Sequence, residues 1–445
     1  MLIPYAPNPA YITTMRDGTV KQLNPFSGTE VWTVPGRGNR PLGVLPTNPG
    51  PIDPAEHGRH CAFCELRYLE TPPEKSRVTR DGSTWRTVYR TPAETLFDTV
   101  AEFRRVPNLF EILSYDYWHL NYGYEIPADI AERRRGYLES AAGRDHVLTV
   151  AKGKLRAAGR TPEAIAAMSE DEIIEYASGF FGGGHDVIVA RRHFTDGATT
   201  TADLASSGTL TPEEHFRYME FTVESLRRLY EINRYAPYVA VFQNWLKPAG
   251  ASFDHLHKQL VAIDERGVQN ELAITRLRTN PNLYNEAAVN YASRHNLLIA
   301  ENDHAIAFAG FGHRYPTIEM YSKSEHTWPW DHSREEIGGI SDLLHAMHAA
   351  TGTDVPCNEE WHHRPIDVDI PMPWRIALKW RVSTVAGFEG GTKVYLNTID
   401  PMTLRDRLVP KLYALRDQGR LGGVRIGPEC SGAPNLLRYN RAVMH

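Results

Sequence analysis

The chain is 445 residues long, 42% hydrophobic and 23% charged, with a formal net charge of -5. That length holds two or three average domains, and the balance of charge leaves no basic stripe of the kind that grips a nucleic-acid backbone. No apolar run is long enough to cross a bilayer. Four cysteines in a chain of this size are not a disulfide scaffold. Met1 to Pro7 lack the charged start and apolar core of a secretory signal. The expectation is a cytoplasmic globular protein with neither nucleic-acid nor membrane partners.

In chain order, Asn24-Pro25-Phe26-Ser27-Gly28 marks a turn and Val31-Trp32-Thr33-Val34 a strand. Arg37 and Arg40 follow in a Pro/Gly-rich stretch that reads, alone, as a surface loop with two solvated arginines. Cys61 and Cys64 form a CxxC, which in a reducing compartment points to metal or redox chemistry. Pro51 to His60 do not supply the strand-helix context of a thioredoxin-like motif. A zinc knuckle needs two further ligands, for which His193 and His255 are candidates. Asn108 reads locally as a turn residue.

From about Trp118 to Gly179 the chain is charged and helical in tone, with a capping box at Ser169 to Glu172. A solvated helical face is the simplest account of this stretch, and a substrate-specificity lid the sharper one. Gly182-Gly183-Gly184 turns into a strand, Val187 to Ala190, ahead of His193. No Gly-Lys-Ser/Thr follows, so this is not a phosphate-cradling P-loop. Thr211-Pro212-Glu213-Glu214 opens a helix whose Phe216, Met219, Val223, Leu226 and Tyr230 recur on one core face. Tyr238 to Phe242 is the next strand, leading to Asn244 and a loop that carries Lys247 and Ser252.

That loop delivers His255-Leu256-His257-Lys258-Gln259. The spacing is period two, so an extended strand would place His255, His257 and Gln259 on one face. A lone His-x-His is most simply a solvated strand face. Here it follows Arg-x-x-Arg-Pro, CxxC, Asn108, His193 and Asn244. Those elements, in that order, resemble the galactose-1-phosphate uridylyltransferase family of the histidine-triad superfamily, with this chain as a divergent member.

The resemblance implies an α+β fold of two histidine-triad-like halves, each an antiparallel sheet flanked by helices. The halves would span 1-275 and 290-445, with a helical insertion at about 118-179 in the first. It implies that His257 attacks the α-phosphorus of a nucleotide sugar to form a covalent nucleotidyl-histidine. Gln259 would donate to the phosphoryl oxygens, Arg37, Arg40 and Asn244 would contact phosphate, and Ser252, three residues before the first histidine as in the family, and Lys247 would bind substrate. Asn108 falls in the nucleotide-binding segment. Cys61, Cys64, His193 and His255 would bind one structural zinc ion. The nucleotidyl group would pass to a sugar phosphate or phosphate, and a homodimer is the assembly allowed for. The family's Asn-Pro-His-Pro-His-Gly-Gln is replaced by Phe253-Asp254-His255-Leu256-His257-Lys258-Gln259. Lys247 and Lys258 are therefore expected as extra cations near the site, favouring a more anionic substrate.

The second half echoes the first. A strand at Pro316 to Tyr321, a capped helix from Ser333 and a strand at Trp374 to Val382 repeat the earlier order, which suggests an internal duplication. Trp361-His362 matches a metal-binding pair in some relatives, but Ala377 and Lys379 occupy the partner positions. The second metal site is expected to be lost, with Lys379 replacing its charge. Ala386 to Thr392 matches a segment that reaches toward the sugar. Three rival readings accompany the transferase: a phosphorylase or hydrolase of the same fold, a zinc-stabilised nucleotide-binding protein without turnover, and a thiol-redox protein acting through Cys61 and Cys64.

Overall fold

The computed structural model describes residues 10-36 and 49-441. Among the described residues, sixteen strands form two sheets. In chain order they are β1 (Ile12–Thr14), β2 (Val20–Leu23), β3 (Glu30–Thr33), β4 (Ser76–Asp81), β5 (Thr84–Tyr89), β6 (Ala101–Pro107), β7 (His185–Ala190) and β8 (Tyr238–Trp245). There follow β9 (His257–Ile263), β10 (Leu298–Glu301), β11 (Ala305–Gly310), β12 (Thr317–Ser322), β13 (Cys357–His362), β14 (Arg375–Trp380), β15 (Val394–Asn397) and β16 (Arg425–Ile426).

Twelve of them make one continuous sheet in the order β16-β10-β11-β12-β14-β13-β8-β9-β7-β6-β4-β5. Within it, β7, β8 and β9 lie as β8-β9-β7, and β12, β13 and β14 lie as β13-β14-β12. The same local order thus occurs twice, and the two units join edge to edge through the antiparallel pair β13 and β8, with Asn358 opposite Asn244. Each unit closes the other's open strand edge, and an unpaired edge is a liability for a sheet. The small sheet, β1-β2-β3-β15, ties the N-terminal strands to the second unit. There, Asn24 donates its amide to the carbonyl of Phe311 at 3.2 Å.

The helices follow from their caps. α1 (Tyr115–Tyr122), α2 (Ala128–Glu139), α3 (Ala141–Ala157), α4 (Pro162–Ala166), α5 (Glu170–Tyr176) and α6 (Gly179–Gly182) lie between β6 and β7. From α2 onward they bury a separate core around Val147, Leu148, Ile173, Phe180 and Phe181, against which Leu109 packs, while Trp118 of α1 joins the main core. α7 (Pro212–Ile232) starts on a capping box in which Thr211 and Glu214 satisfy each other's backbone N–H groups. After α8 (Val268–Thr279) and α9 (Asn290–Arg294), α10 (Arg334–Thr351) starts the same way on Ser333 and Glu336. Further on lie α11 (Gly387–Thr392) and α12 (Pro401–Asp417).

α7 and α10 cover one face of the joined sheet. Leu226, Leu229, Ile340 and Leu344 are fully enclosed with Leu260 of β9 in the main core. At roughly 1.5–3 kcal/mol per buried aliphatic side chain, this face anchors the sheet. The other face is more open. In β8 the partly exposed residues are Ala240, Phe242 and Asn244, every second position. Among the described residues, no helix is long and apolar enough to cross a membrane.

Candidate active site

β9 begins at His257, not at His255, so the strand alternation applies to His257, Gln259, Val261 and Ile263. His255 lies in the turn just before it and reaches a different set of partners. The expectation that all three polar residues share one strand face is corrected to that extent.

His255 donates its Nε2 hydrogen to the carbonyl of Ala190 at 2.6 Å. That fixes the tautomer and leaves its Nδ1 lone pair facing Cys61 and Cys64. The Cys61 Sγ lies 3.4 Å from Nδ1 of both His193 and His255, and Cys64 Sγ lies 3.8 Å from each. The two sulfurs are 3.8 Å apart, and all four ligand atoms fall within 4.8 Å of one another. Sulfur and nitrogen ligands at 2.0–2.3 Å from one tetrahedral ion lie about 3.3–3.8 Å apart. The donor set fits a single soft cation. The hydrogen bond between the two thiols pushes Cys64 below its ordinary value and Cys61 above it, so without a cation between them the pair shares a proton. The four residues picked from the sequence are thus brought together.

His257 is 5% exposed. Its Nδ1 lies 2.7 Å from the backbone carbonyl of His255, which can only accept, so Nδ1 carries the hydrogen and Nε2 keeps a free lone pair. Burial pushes this imidazole down to about 4, so it is neutral at physiological pH. Phe63, between the two cysteines, sets its ring 5.3 Å from that of His257 and 4.7 Å from that of Phe253. Val106, Val187 and Val189 form an apolar patch against Phe63. Register places Val189 opposite His257 and Val187 opposite Gln259, on the same face.

Gln259 is oriented by two donors that the sequence reading did not pair with it. Its Oε1 is 3.3 Å from Asn108 Nδ2 and 3.1 Å from His185 Nε2. His185 Nδ1 accepts the N–H of Ile112 at 3.2 Å, so its hydrogen is on Nε2. Asn108 Oδ1 is held by the N–H of Phe110 at 2.9 Å, which turns its amide nitrogen toward Gln259. With two donors on its oxygen, Gln259 is left to present its own NH₂ outward. His185 follows directly on Gly182-Gly183-Gly184, and no local motif marks it. Its position two residues before Val187, on the face of β7 that meets Gln259, was the available signal.

Asn244 lies level with His257 when the β8-β9 register is continued two residues past Phe242 and Gln259. Its Oδ1 accepts from Asn358 Nδ2 at 2.7 Å, so its own NH₂ is free. Asn358 in turn accepts from Arg381 Nη1 at 2.7 Å. Asn244, Asn358 and Arg381 line one cavity of about 600 Å³. Lys247 and Ser252 are exposed and line a separate cavity of about 700 Å³ with His60, Cys61 and His193. Arg37 and Arg40 lie outside the described residues.

Lys258 contradicts its expected role. Alternation turns it to the helix-covered face, where it is fully buried and its Nζ is 2.5 Å from Glu359 and 3.2 Å from the Gln243 amide oxygen. It is a structural cation, not a substrate contact. On the open face, Lys379 Nζ lies 2.5 Å from Glu360, with His362 Nε2 3.8 Å from the same carboxylate oxygen. The Ala386 to Thr392 segment is largely α11, whose Phe388 and Glu389 line yet another cavity with Trp32 and Val34.

Fold and site together define a class. The chain is similar to an ADP-glucose phosphorylase from Arabidopsis thaliana, whose crystal structure holds ADP-glucose, with a TM-score of 0.56 and 18% identity over 88% of this chain and 97% of that one. It is similar in the same degree to a GalT-like protein from the same plant, with a TM-score of 0.55 and 17% identity over 87% of this chain and 97% of that one. The fold of this chain is thus the one shared by those two proteins. In sequence, 175 residues are 27% identical to the A. thaliana ADP-glucose phosphorylase, 37% of this chain and 49% of the relative. The match therefore spans about half the length of that curated relative. The chain belongs to the family described as a domain of unknown function (DUF4921), whose model matches residues 15–439.

Proposed function

We propose that this chain is a nucleotidyltransferase that acts on nucleoside diphosphate sugars through a covalent nucleotidyl-His257. One observation carries the reading. His257 is a neutral, buried imidazole whose Nδ1–H is tied to a carbonyl, while the amides of Gln259 and Asn244 each have one end fixed and the NH₂ end free. That is a nitrogen nucleophile with hydrogen-bond donors beside it.

In the first step His257 Nε2 forms an N–P bond to the α-phosphorus, and the P–O bond to the sugar phosphate breaks. The positive charge that develops on the ring is spread toward Nδ1, whose hydrogen is already held by the His255 carbonyl. In the second step an oxygen of phosphate or of a sugar phosphate attacks the same phosphorus, and the N–P bond breaks to return the neutral ring. The Gln259 and Asn244 donors bear the phosphoryl charge in both steps. Asn108 and the valine patch under Phe63 are proposed as the nucleoside side of the site. Phosphate as acceptor is the arm supported by the likeness to an ADP-glucose phosphorylase.

Zinc is the ion proposed for Cys61, Cys64, His193 and His255. With four protein ligands such a site is closed and structural. It would supply a fixed anchor for His255, two residues from the nucleophile.

The test is the intact mass of the protein after brief exposure to UDP-, ADP-, GDP-, CDP- and dTDP-sugars. A nucleoside monophosphate adduct on the wild type and none on His257→Ala is the expected result, and its mass names the base. A folded protein that neither forms an adduct nor consumes any donor overturns the reading. Donor consumption with water alone as acceptor would make it a hydrolase.

A further inference from the structure

One rung of the joined sheet crosses the boundary between its two units. On the open face it runs from His257 on β9 to Asn244 on β8, Asn358 on β13 and Lys379 on β14. Neighbouring strands lie about 4.8 Å apart, so two strands separate the nucleophile from Asn358 by roughly 10 Å. Arg381 follows directly on β14. Its backbone N–H bonds to the carbonyl of Pro356 at 2.8 Å, which carries its side chain over Asn358.

Arg381 is unlike the other cations near the seam. Lys379 is matched by Glu360, Arg266 by Asp367 and Glu271, and Lys258 by Glu359. Arg381 has a neutral amide oxygen and the ring of Tyr315, 4.6 Å away, with no carboxylate partner among the described residues. Its Nε is enclosed and has no hydrogen-bond acceptor. Among the described residues this guanidinium makes one hydrogen bond, from Nη1 to the Asn358 amide oxygen, and its side chain lines the cavity. Arg381 and Asn244, whose NH₂ has no partner among the described residues, border the same cavity. The nearest acid lining that cavity, Glu360, is already held by Lys379.

We propose that this seam cavity is the subsite for the second phosphate, with Arg381 binding the phosphoryl oxygens of the acceptor and Asn358 holding Arg381 and Asn244 in one array. The proposal rests on the nucleotidyl-transfer reading and assigns it a residue from the second unit. During transfer, one oxygen of the acceptor phosphate forms the new P–O bond while the N–P bond to His257 breaks. Arg381 neutralises the acceptor's remaining oxygens and takes no proton. By reversal, the same side chain holds the phosphate of the departing sugar phosphate. A planar fork suits that task better than an ammonium. Inorganic phosphate and a sugar 1-phosphate share this chemistry, and the experiment separates them.

Orthophosphate and, separately, a hexose 1-phosphate are titrated into the full chain by calorimetry, for the wild type, Arg381→Met and Arg381→Lys. The wild type is expected to bind, and Arg381→Met to lose affinity on the order of 10- to 100-fold, the worth of hydrogen bonds to a charged group. Arg381→Lys, which keeps charge and loses the fork, should recover part of the loss at an unchanged unfolding midpoint. Whichever of the two probes binds tighter is the acceptor source.

The second readout is the rate at which nucleotidyl-His257 is discharged as phosphate is varied. Arg381→Met should raise the half-saturating phosphate by the same factor. Equal phosphate affinity in wild type and Arg381→Met, or binding of neither probe to the wild type, overturns the subsite. Formation and discharge of the adduct at wild-type rates and phosphate dependence in Arg381→Met overturns the subsite alone and leaves the transferase reading standing. Absence of any adduct, with Arg381-dependent phosphate binding, has the opposite meaning.

Discussion

At the scale of single residues the site depends on imidazoles kept neutral and amides kept from turning. His257 titrates near 4 because burial penalises its charged form. If, as proposed, the unprotonated ring attacks, the rate of adduct formation should stay level from pH 8 to about pH 5 and fall by half near pH 4. A rate that halves near pH 6.5 would mean that His257 is solvated during turnover. His185 is held down to about 4 as well, chiefly by burial, so it donates to Gln259 as a neutral ring. Replacing it in His185→Phe removes one of the two donors that orient the Gln259 amide. Turnover should drop about tenfold, the worth of one hydrogen bond, while substrate affinity changes little. His185→Gln, which can restore a donor toward Gln259, should recover part of it. A loss confined to KM would make His185 a binding residue instead.

At the scale of elements, the Cys2His2 cluster couples three pieces of chain that are far apart in sequence: the loop of Cys61 and Cys64, the residue His193 after β7, and His255 before β9. Cys64→Ser should abolish stoichiometric metal, measured by elemental analysis, and lower the unfolding midpoint. Its effect on adduct formation should be large, because His257 is fastened to the backbone of His255 itself. Wild-type metal content in Cys64→Ser would show that the cluster is not the metal centre. The helices between β6 and β7 reach β9 differently: Tyr122 donates to Asp264 just past the strand at 2.5 Å, and Trp118 packs in the main core.

At the scale of the whole molecule, the two units are joined by strand pairing and by a buried ion pair beneath it. Lys258 from one unit and Glu359 from the other are both fully enclosed, with His348 and Trp361 also donating to Glu359. Removing one partner strands a buried charge and costs about 3–5 kcal/mol. Lys258→Met should therefore destabilise the fold by that order in chemical denaturation. Lys258→Met with Glu359→Gln should be less damaging than the single change, and equal losses would mean that the pair is not coupled.

The helical layer adds an acid liability. His215, His345 and His348 lie together between α7 and α10, and burial pushes all three below the ordinary histidine value, His345 to about 4. The unfolded chain binds protons on these rings near pH 6.5 and the folded chain does not. Stability is full above that value and should fall steadily as pH drops toward 4, in thermal melts taken across that range. A midpoint that is flat between pH 7 and 4.5 would contradict this.

Local chemistry in the sequence determined the capping boxes at Ser169, Thr211 and Ser333, the apolar stripe of α7, the strands around Val187, Tyr238 and Thr317, and the four metal-ligand candidates. Each of those depends on residue type and spacing within a few positions, or on donor atoms with few alternative uses. The tertiary structure alone decided that Lys258 turns away from the site, because a one-residue step along a strand reverses the face and only the far unit supplies Glu359 as its partner. It alone brought His185 to Gln259 and Asn358 to Asn244. Those contacts join residues more than seventy positions apart, and strand register, which no local pattern in this chain specifies, is what places them side by side.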